Sequence, residues 1–171
     1  MIVYHGGIAV IESPQILRQE VGRDFGAAFY TTDIRDQAER WARRKALVAG
    51  RKNDQAILPV VNEYEFALEA ARKSLKIHRF EGSSPEWLDL VLQCRANAAF
   101  RHPFDIVIGN IANDNVGETV SYVQQGIMRK EDALERLKFE KLNNQIAFCT
   151  ESALEFLRFK SHFTNREATN D

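Results

Sequence analysis

The segment from Tyr4 to Trp41 constrains the chain more than any other. It opens as V-Y-H-G-G, continues as D-F-G-A-A-F-Y-T-T-D, and then turns amphipathic with helical spacing. Met1 to Tyr4 is β-prone and is stopped by Gly6-Gly7. Phe25 to Thr32 reads as a second strand, entered through Gly26 and carried by Phe29, Tyr30, Thr31 and Thr32. A polar connector with Pro14 separates the two, with a short helical turn expected over Pro14 to Gln19. Thr32 or Asp33 caps the following helix, whose apolar stripe is Ile34, Ala38, Trp41 and Val48 and whose end lies near Gly50.

Beyond that helix the pattern alternates between strand and helix. Ala56 to Phe66 is a strand, with Pro59 marking an edge or a bulge at its start. Ala67 to Ser74 has helical composition, and Leu75 to Phe80 alternates as a half-buried strand does. Ser84-Pro85 starts a helix, a cap followed by proline at the first helical position, with Trp87, Leu88, Val91 and Cys94 as its core face. Phe104 to Ile111 is a continuous apolar run of central-strand type. Asn113-Asp114-Asn115 breaks it and caps a helix over Val116 to Gln125, which Gly126 ends; Lys130 to Phe139 forms another. Gln145 to Thr150 is a short strand, and Thr150 caps a last helix running to about Phe159. The sum is an α+β fold in one domain over 1–164, with a polar tail over 165–171.

Composition sets outer bounds. The chain has 171 residues, 44% apolar and 27% charged, with a net charge of -1. That is a single-domain length and an ordinary balance for a soluble globular protein. The overall charge makes no case for a nucleic-acid or membrane-surface binder. A local cluster, Arg40, Arg43, Arg44, Lys45, Arg51 and Lys52, interrupts that neutrality and reads as the solvated face of one helix. Cys94 and Cys149 lie far apart without a C-x-x-C partner, which speaks against zinc and against a disulfide framework. His78, His102 and His162 have no ligand-like spacing, so no metal is expected. No stretch has the length and apolarity of a transmembrane helix or the pattern of a secretory leader, and the expected compartment is the cytoplasm.

The opening segment carries the chemistry. Breaking a nicotinamide–ribose bond needs little nucleophilic help and much control of charge, because the transition state resembles an oxocarbenium ion. A site for it must orient the ring, hold the ribose hydroxyls and exclude water. A glycine lets the main chain reach a carboxamide, an aromatic face stacks on the ring, and a polar side chain binds the sugar. Singly, Tyr30 and Trp41 read as core aromatics, His5 as a structural hydrogen-bonder and Asp114 as a helix cap; their joint order with the glycines points to a site.

That order resembles the signature of ADP-ribosyltransferases of the diphtheria-toxin and poly(ADP-ribose) polymerase type: H-G, then F-G-x-G-[IV]-Y-[FL], then a helix with a second aromatic. Here the pieces are His5-Gly6, Phe25-Gly26, Tyr30 and Trp41. The segments D-I-V-I-G-N-I-A-N-D and N-N-Q-I-A-F-C-T resemble an uncharacterised bacterial family of the same superfamily. The resemblance implies a split β-sheet core with peripheral helices and NAD+ as co-substrate. It implies that His5 binds a ribose hydroxyl, that the Gly6 main chain holds the carboxamide, and that Tyr30 and Trp41 flank the nicotinamide. Phe25, Thr31 and Asp114 complete the implied cofactor-binding set, and His5, Tyr30 and Gln145 the implied catalytic set.

The sequence also departs from that pattern. Ala28 replaces a second glycine, and Ala38 stands where a serine often bonds the carboxamide. Gln145 heads the late strand where a glutamate is usual; an amide can bond a hydroxyl but brings no negative charge and takes no proton. Asp114 or Glu140, or a group of the substrate, is then needed to compensate. Gln145-Ile146-Ala147 also lacks the Q/E-x-E of arginine-modifying toxins, which disfavours an arginine acceptor. The expected function is a mono-ADP-ribosyltransferase of bacterial toxin or effector type, with a protein or nucleic-acid acceptor, an antitoxin partner and no membrane partner. A catalytically altered NAD-binding module and an NAD glycohydrolase are the alternatives.

Overall fold

The computed structural model describes residues 1–17, 23–111, 114–137 and 143–164, and shows a mixed α+β fold with two sheets. In chain order the elements are β1 (Ile2–Gly7), β2 (Phe29–Thr31), α1 (Arg35–Asn53), β3 (Val60–Phe66), α2 (Leu68–Ser74), β4 (Ile77–Arg79) and α3 (Pro85–Ala96). There follow β5 (Ile106–Ile111), α4 (Asp114–Gln124), α5 (Lys130–Leu137), β6 (Asn143–Phe148), α6 (Glu151–Leu154) and β7 (Leu157–Thr164). One sheet has the order β1-β3-β7 and the other β2-β6-β5-β4, antiparallel throughout except for β4 against β5.

Side-chain alternation along the strands sorts the core into layers. Val3, Tyr64 and Phe66 of the first sheet face Ile106, Ile108, Ile146 and Phe148 of the second, so the two sheets bury a common apolar layer. The opposite face of the second sheet, with Val107 and Ala147, is covered by Trp87, Val91, Val116, Val120 and Leu137 of α3, α4 and α5. On the far side of the first sheet, Val61 meets Ala38 and Ala42 of α1. The molecule is thus helix, sheet, sheet, helices. The sheets meet at one seam: Tyr4 and Thr32 exchange backbone hydrogen bonds of 2.7 and 2.9 Å, tying β1 to the end of β2.

Several elements form where their local signals place them. The Ser84 hydroxyl accepts from Trp87 N–H at 3.2 Å with Pro85 in the first turn. Phe104 to Ile111 yields β5, an interior strand between β4 and β6. Thr150 accepts from Ala153 N–H at 3.3 Å and starts α6. Neither Thr32 nor Asp33 caps α1 as expected: its N-cap is Ile34, with no side-chain cap hydrogen bond, and the Thr32 hydroxyl accepts from Ile34 N–H at 3.1 Å just ahead of the helix.

Other expectations need correction. The last helix stops at Leu154, and Leu157 to Thr164 is the strand β7. Leu157, Phe159 and Phe163 turn inward while Arg158 and Lys160 lie against Glu65 and Glu63 of β3, cross-strand pairs that a helix would scatter. β1 runs through both glycines to Gly7 instead of ending before them. Residues 14–16 form no helix, Leu17 bridges Ala28, and the remainder of the expected turn lies outside the described residues, as do Glu140 and the tail from Asn165.

Of the stripe expected on α1, only Ala38 is buried. The buried face is Gln37, Ala38, Ala42 and Ala46, whereas Ile34, Trp41 and Val48 are exposed. The cause is a close approach. A Cβ on Gly6 would lie 2.2 Å from the Ala38 carbonyl oxygen and 2.9 Å from the Ala42 nitrogen, so strand and helix backbones touch and only small residues fit. Gly6→Ala should therefore destabilise the fold by about 3 kcal/mol, the upper end of ordinary overpacking, because backbone on both sides must move. A chemical denaturation midpoint indistinguishable from that of the parent chain would contradict this packing.

Candidate functional site

A cavity of about 540 Å³ opens beside the edge strand β2, where the two sheets part. Residues distant in sequence line it: His5 and Gly6 from β1, Tyr30 and Thr31 from β2, Gln37 and Trp41 from α1, and Gln145 from β6. Alternation explains the convergence. Along β1, Tyr4 and Gly6 point to α1, which leaves His5 facing the second sheet, where its ring stacks on Phe29 at 4.7 Å. Tyr30 pairs with Ala147, and Gln145 two residues earlier on β6 shares that face. On α1, Gln37, Trp41 and Lys45 follow i, i+4, i+8 spacing and present one side to the cavity.

His5 is fixed in both orientation and proton state. Its Nδ1 lies 2.7 Å from the Tyr30 carbonyl oxygen, an acceptor only, so Nδ1–H donates and Nε2 keeps a free lone pair. Burial, assisted by the Lys45 cation, lowers its pKa to about 4 against the opposing effect of the carbonyl contact. The ring is thus a neutral acceptor at neutral pH, suited to a hydroxyl donor.

Tyr30 is held differently. Its hydroxyl donates to the Gly26 carbonyl at 2.5 Å, and burial raises its pKa further. The phenol is therefore a protonated wall of the cavity and not a proton carrier, and the Arg23 guanidinium sits 5.6 Å from the ring centre. Gly26 has φ +74°, a conformation open to glycine, and this places its carbonyl under the tyrosine. Trp41 is 39% exposed, with Arg44 at 5.9 Å from its ring. The Thr31 hydroxyl donates to the Ile146 carbonyl at 3.2 Å, which ties β2 to β6.

One residue of the implied cofactor set stands elsewhere, and the side chain of another is not among those described. Phe25 does not line the cavity: its ring is fully buried, stacked on Phe80 and crowding Gly109, so it belongs to the core behind the site. Its carbonyl is held by His102 Nε2 at 3.1 Å. Asp114 opens α4, and its side chain lies outside the described residues.

The charge of the cavity and its second amide are not marked in the sequence. Arg23, Arg40, Arg44, Lys45 and Arg95 all line the cavity, and no carboxylate is among the described lining residues. Half of the basic cluster, Arg40 and Arg44, both exposed as a solvated helix face requires, and the half-buried Lys45, also lines this concavity and makes it attractive to anions. Arg95 is anchored there by Asp24, with Nη2 2.6 Å from Oδ1. Gln37 and Gln145 are each 8% exposed, and the side-chain oxygen of each is buried without a protein donor. Leaving such an acceptor unmatched costs about 1–3 kcal/mol. Helical spacing from Trp41 could have placed Gln37, Arg44 and Lys45 on one face; nothing in the sequence marks Arg95.

The lining combines cations, which attract anionic groups, with aromatic faces and hydrogen-bond acceptors. Because the folded His5 titrates near 4 and an unfolded one near 6.5, the unfolded chain binds the proton first as pH falls. Stability should be full above about pH 6.5 and decline toward pH 4, by up to about 3 kcal/mol from this residue. Denaturant titrations at pH 7 and 4.5 should show a smaller acid loss for His5→Gln than for the parent; equal losses would contradict the assignment.

No helix among the described residues is long and apolar enough to cross a membrane. No curated protein and no solved structure matches the chain. The family model described as "Protein of unknown function (DUF3990)" matches residues 1–159. On that match, which spans most of its length, the chain belongs to the DUF3990 family.

Proposed function

We propose that the protein is a mono-ADP-ribosyltransferase of bacterial toxin or effector type, which cleaves NAD+ and passes ADP-ribose to a protein or nucleic-acid acceptor. The observation that carries this reading is the convergence of His5, Gly6, Tyr30, Trp41 and Gln145, spread over more than 100 residues of chain, on one cavity with a cationic lining. They are five of the eight residues that the motif resemblance implies; Thr31 lines the cavity as well, and Phe25 does not.

In this reading Tyr30 and Trp41 flank the pyridine ring and the Gly6 main chain meets its carboxamide. His5 Nε2 accepts from a ribose hydroxyl, and Arg23, Arg40, Arg44 and Lys45 face the diphosphate. The bond between ribose C1′ and the ring nitrogen breaks with its electron pair going to nicotinamide, which leaves neutral. The acceptor's nucleophilic atom then bonds to C1′ and loses its proton. Gln145 can bond a ribose hydroxyl but supplies no negative charge, so the diphosphate carried by the substrate is the anion nearest the developing cation in this scheme. Burial around His5 keeps bulk water from competing as nucleophile.

The absence of a carboxylate among the described lining residues favours a second reading, a dinucleotide-binding module with altered catalysis; an antitoxin protein would be a partner in the first reading. A glycohydrolase, with water as acceptor, would release nicotinamide in buffer alone.

Incubation with labelled NAD+ and bacterial lysate separates these possibilities. The parent chain should transfer label, and His5→Ala and Tyr30→Ala should each lower the rate at least tenfold, which corresponds to about 1.4 kcal/mol of transition-state stabilisation. Gln145→Glu should raise it if the missing charge limits turnover. Transfer undiminished in both alanine variants would overturn the assignment, and binding without transfer or nicotinamide release would favour the module.

A further inference from the structure

Among the described residues, four buried side-chain polar atoms have no hydrogen-bond partner, and two of them, Gln37 Oε1 and Gln145 Oε1, belong to residues that line the cavity. The other two, on Ser83 and Asn110, belong to residues that do not. Gln37 is locked in orientation. Its Nε2 donates to the Asn144 carbonyl at 2.8 Å, and turning the amide over would set oxygen against oxygen. Its side-chain oxygen is therefore an obligate acceptor, and the hydrogen bond to Asn144 carries it to the residue next to Gln145.

The cationic residues of the lining have the opposite character. Arg40 and Arg44 on the same helix, with Lys45 and Arg23, offer only donors and positive charge. Amide oxygens repel a phosphate, whereas guanidinium and ammonium groups attract one. A ligand held here sets hydroxyl or amide donors toward the glutamines and phosphates toward the cations.

We propose that Gln37 is a specificity-determining residue that, beside Gln145, accepts a hydrogen bond from a hydroxyl of the ribose next to nicotinamide, and so selects the orientation in which the dinucleotide enters. The assignment rests on the reading of the cavity as an NAD+ site and adds a residue that the motif resemblance does not supply. It also distinguishes two halves of the ligand. ADP-ribose retains the second ribose and should keep the contact, whereas ADP retains the diphosphate and lacks that sugar.

Calorimetric titration of the full chain with NAD+, ADP-ribose and ADP tests it, using Gln37→Met, whose side chain has similar length and no amide. Affinity for NAD+ and for ADP-ribose should fall about tenfold while affinity for ADP stays within about twofold, the loss expected for one hydrogen bond in a dry site. Should Gln37→Met fail to give a cooperative melt, Gln37→Lys replaces it, since it keeps a donor for Asn144 and removes the acceptor. An equal fall for all three ligands would make Gln37 a structural residue and overturn the inference, as would no fall at all. If the parent chain itself binds neither NAD+ nor ADP-ribose, the underlying reading fails first and the inference goes with it.

Discussion

The contact between Gly6 and the backbone of α1 at Ala38 sets the geometry on which the cavity depends. With a hydrogen in place of a side chain, β1 lies flush against the helix, and a Cβ there would overlap the Ala38 carbonyl. That one contact fixes the rotation of α1 about its axis. Ala38, Ala42 and Ala46 go beneath, so Gln37 and Trp41 with their basic neighbours must turn to the flank, where the cavity lies. The same strand turns His5 toward the second sheet one residue earlier. A helix held at the usual distance by leucines would leave the wall of the cavity further from β2.

The site's electrostatics follow from that placement. A histidine ringed by lysine and arginine and shielded from water stays neutral, and its bond to the Tyr30 carbonyl decides which nitrogen accepts. Arg95 is compensated by Asp24, which keeps a cation at the wall without exposing it fully. The result is a lining that combines amide oxygens, cations and aromatic surface. This combination suits a phosphorylated ligand bearing hydroxyls better than a purely apolar or purely anionic one.

Local signals in the sequence carried much of this architecture, and the exceptions have identifiable causes. Phe104 to Ile111 read as a central strand because an unbroken apolar run can be buried on both faces, and β5 is an interior strand of its sheet. Ser84-Pro85 marked α3 because capping chemistry is local. Leu157 to Thr164 followed a helical segment and took its strand form from pairing with β3, nearly 100 residues earlier, which no local window contains. The face of α1 was misassigned because the largest apolar residues were taken as the buried ones, whereas a close backbone approach selects alanine. Of the site, His5, Gly6, Tyr30, Trp41 and Gln145 were legible through ordered motifs, while Phe25 proved to be core. The cationic lining and Gln37 were not legible, because a basic or polar helical residue carries no sign of whether it faces water or a cavity.

Tryptophan emission offers the most direct test of the cavity as a dinucleotide site. The chain has two tryptophans: Trp87 is fully buried in the core, and Trp41 stands at the cavity wall. Titration with NAD+ should quench emission saturably in the parent chain, and Trp41→Phe, which retains Trp87, should remove that response. Emission from the parent chain that shows no saturable change on titration with NAD+ would contradict the account.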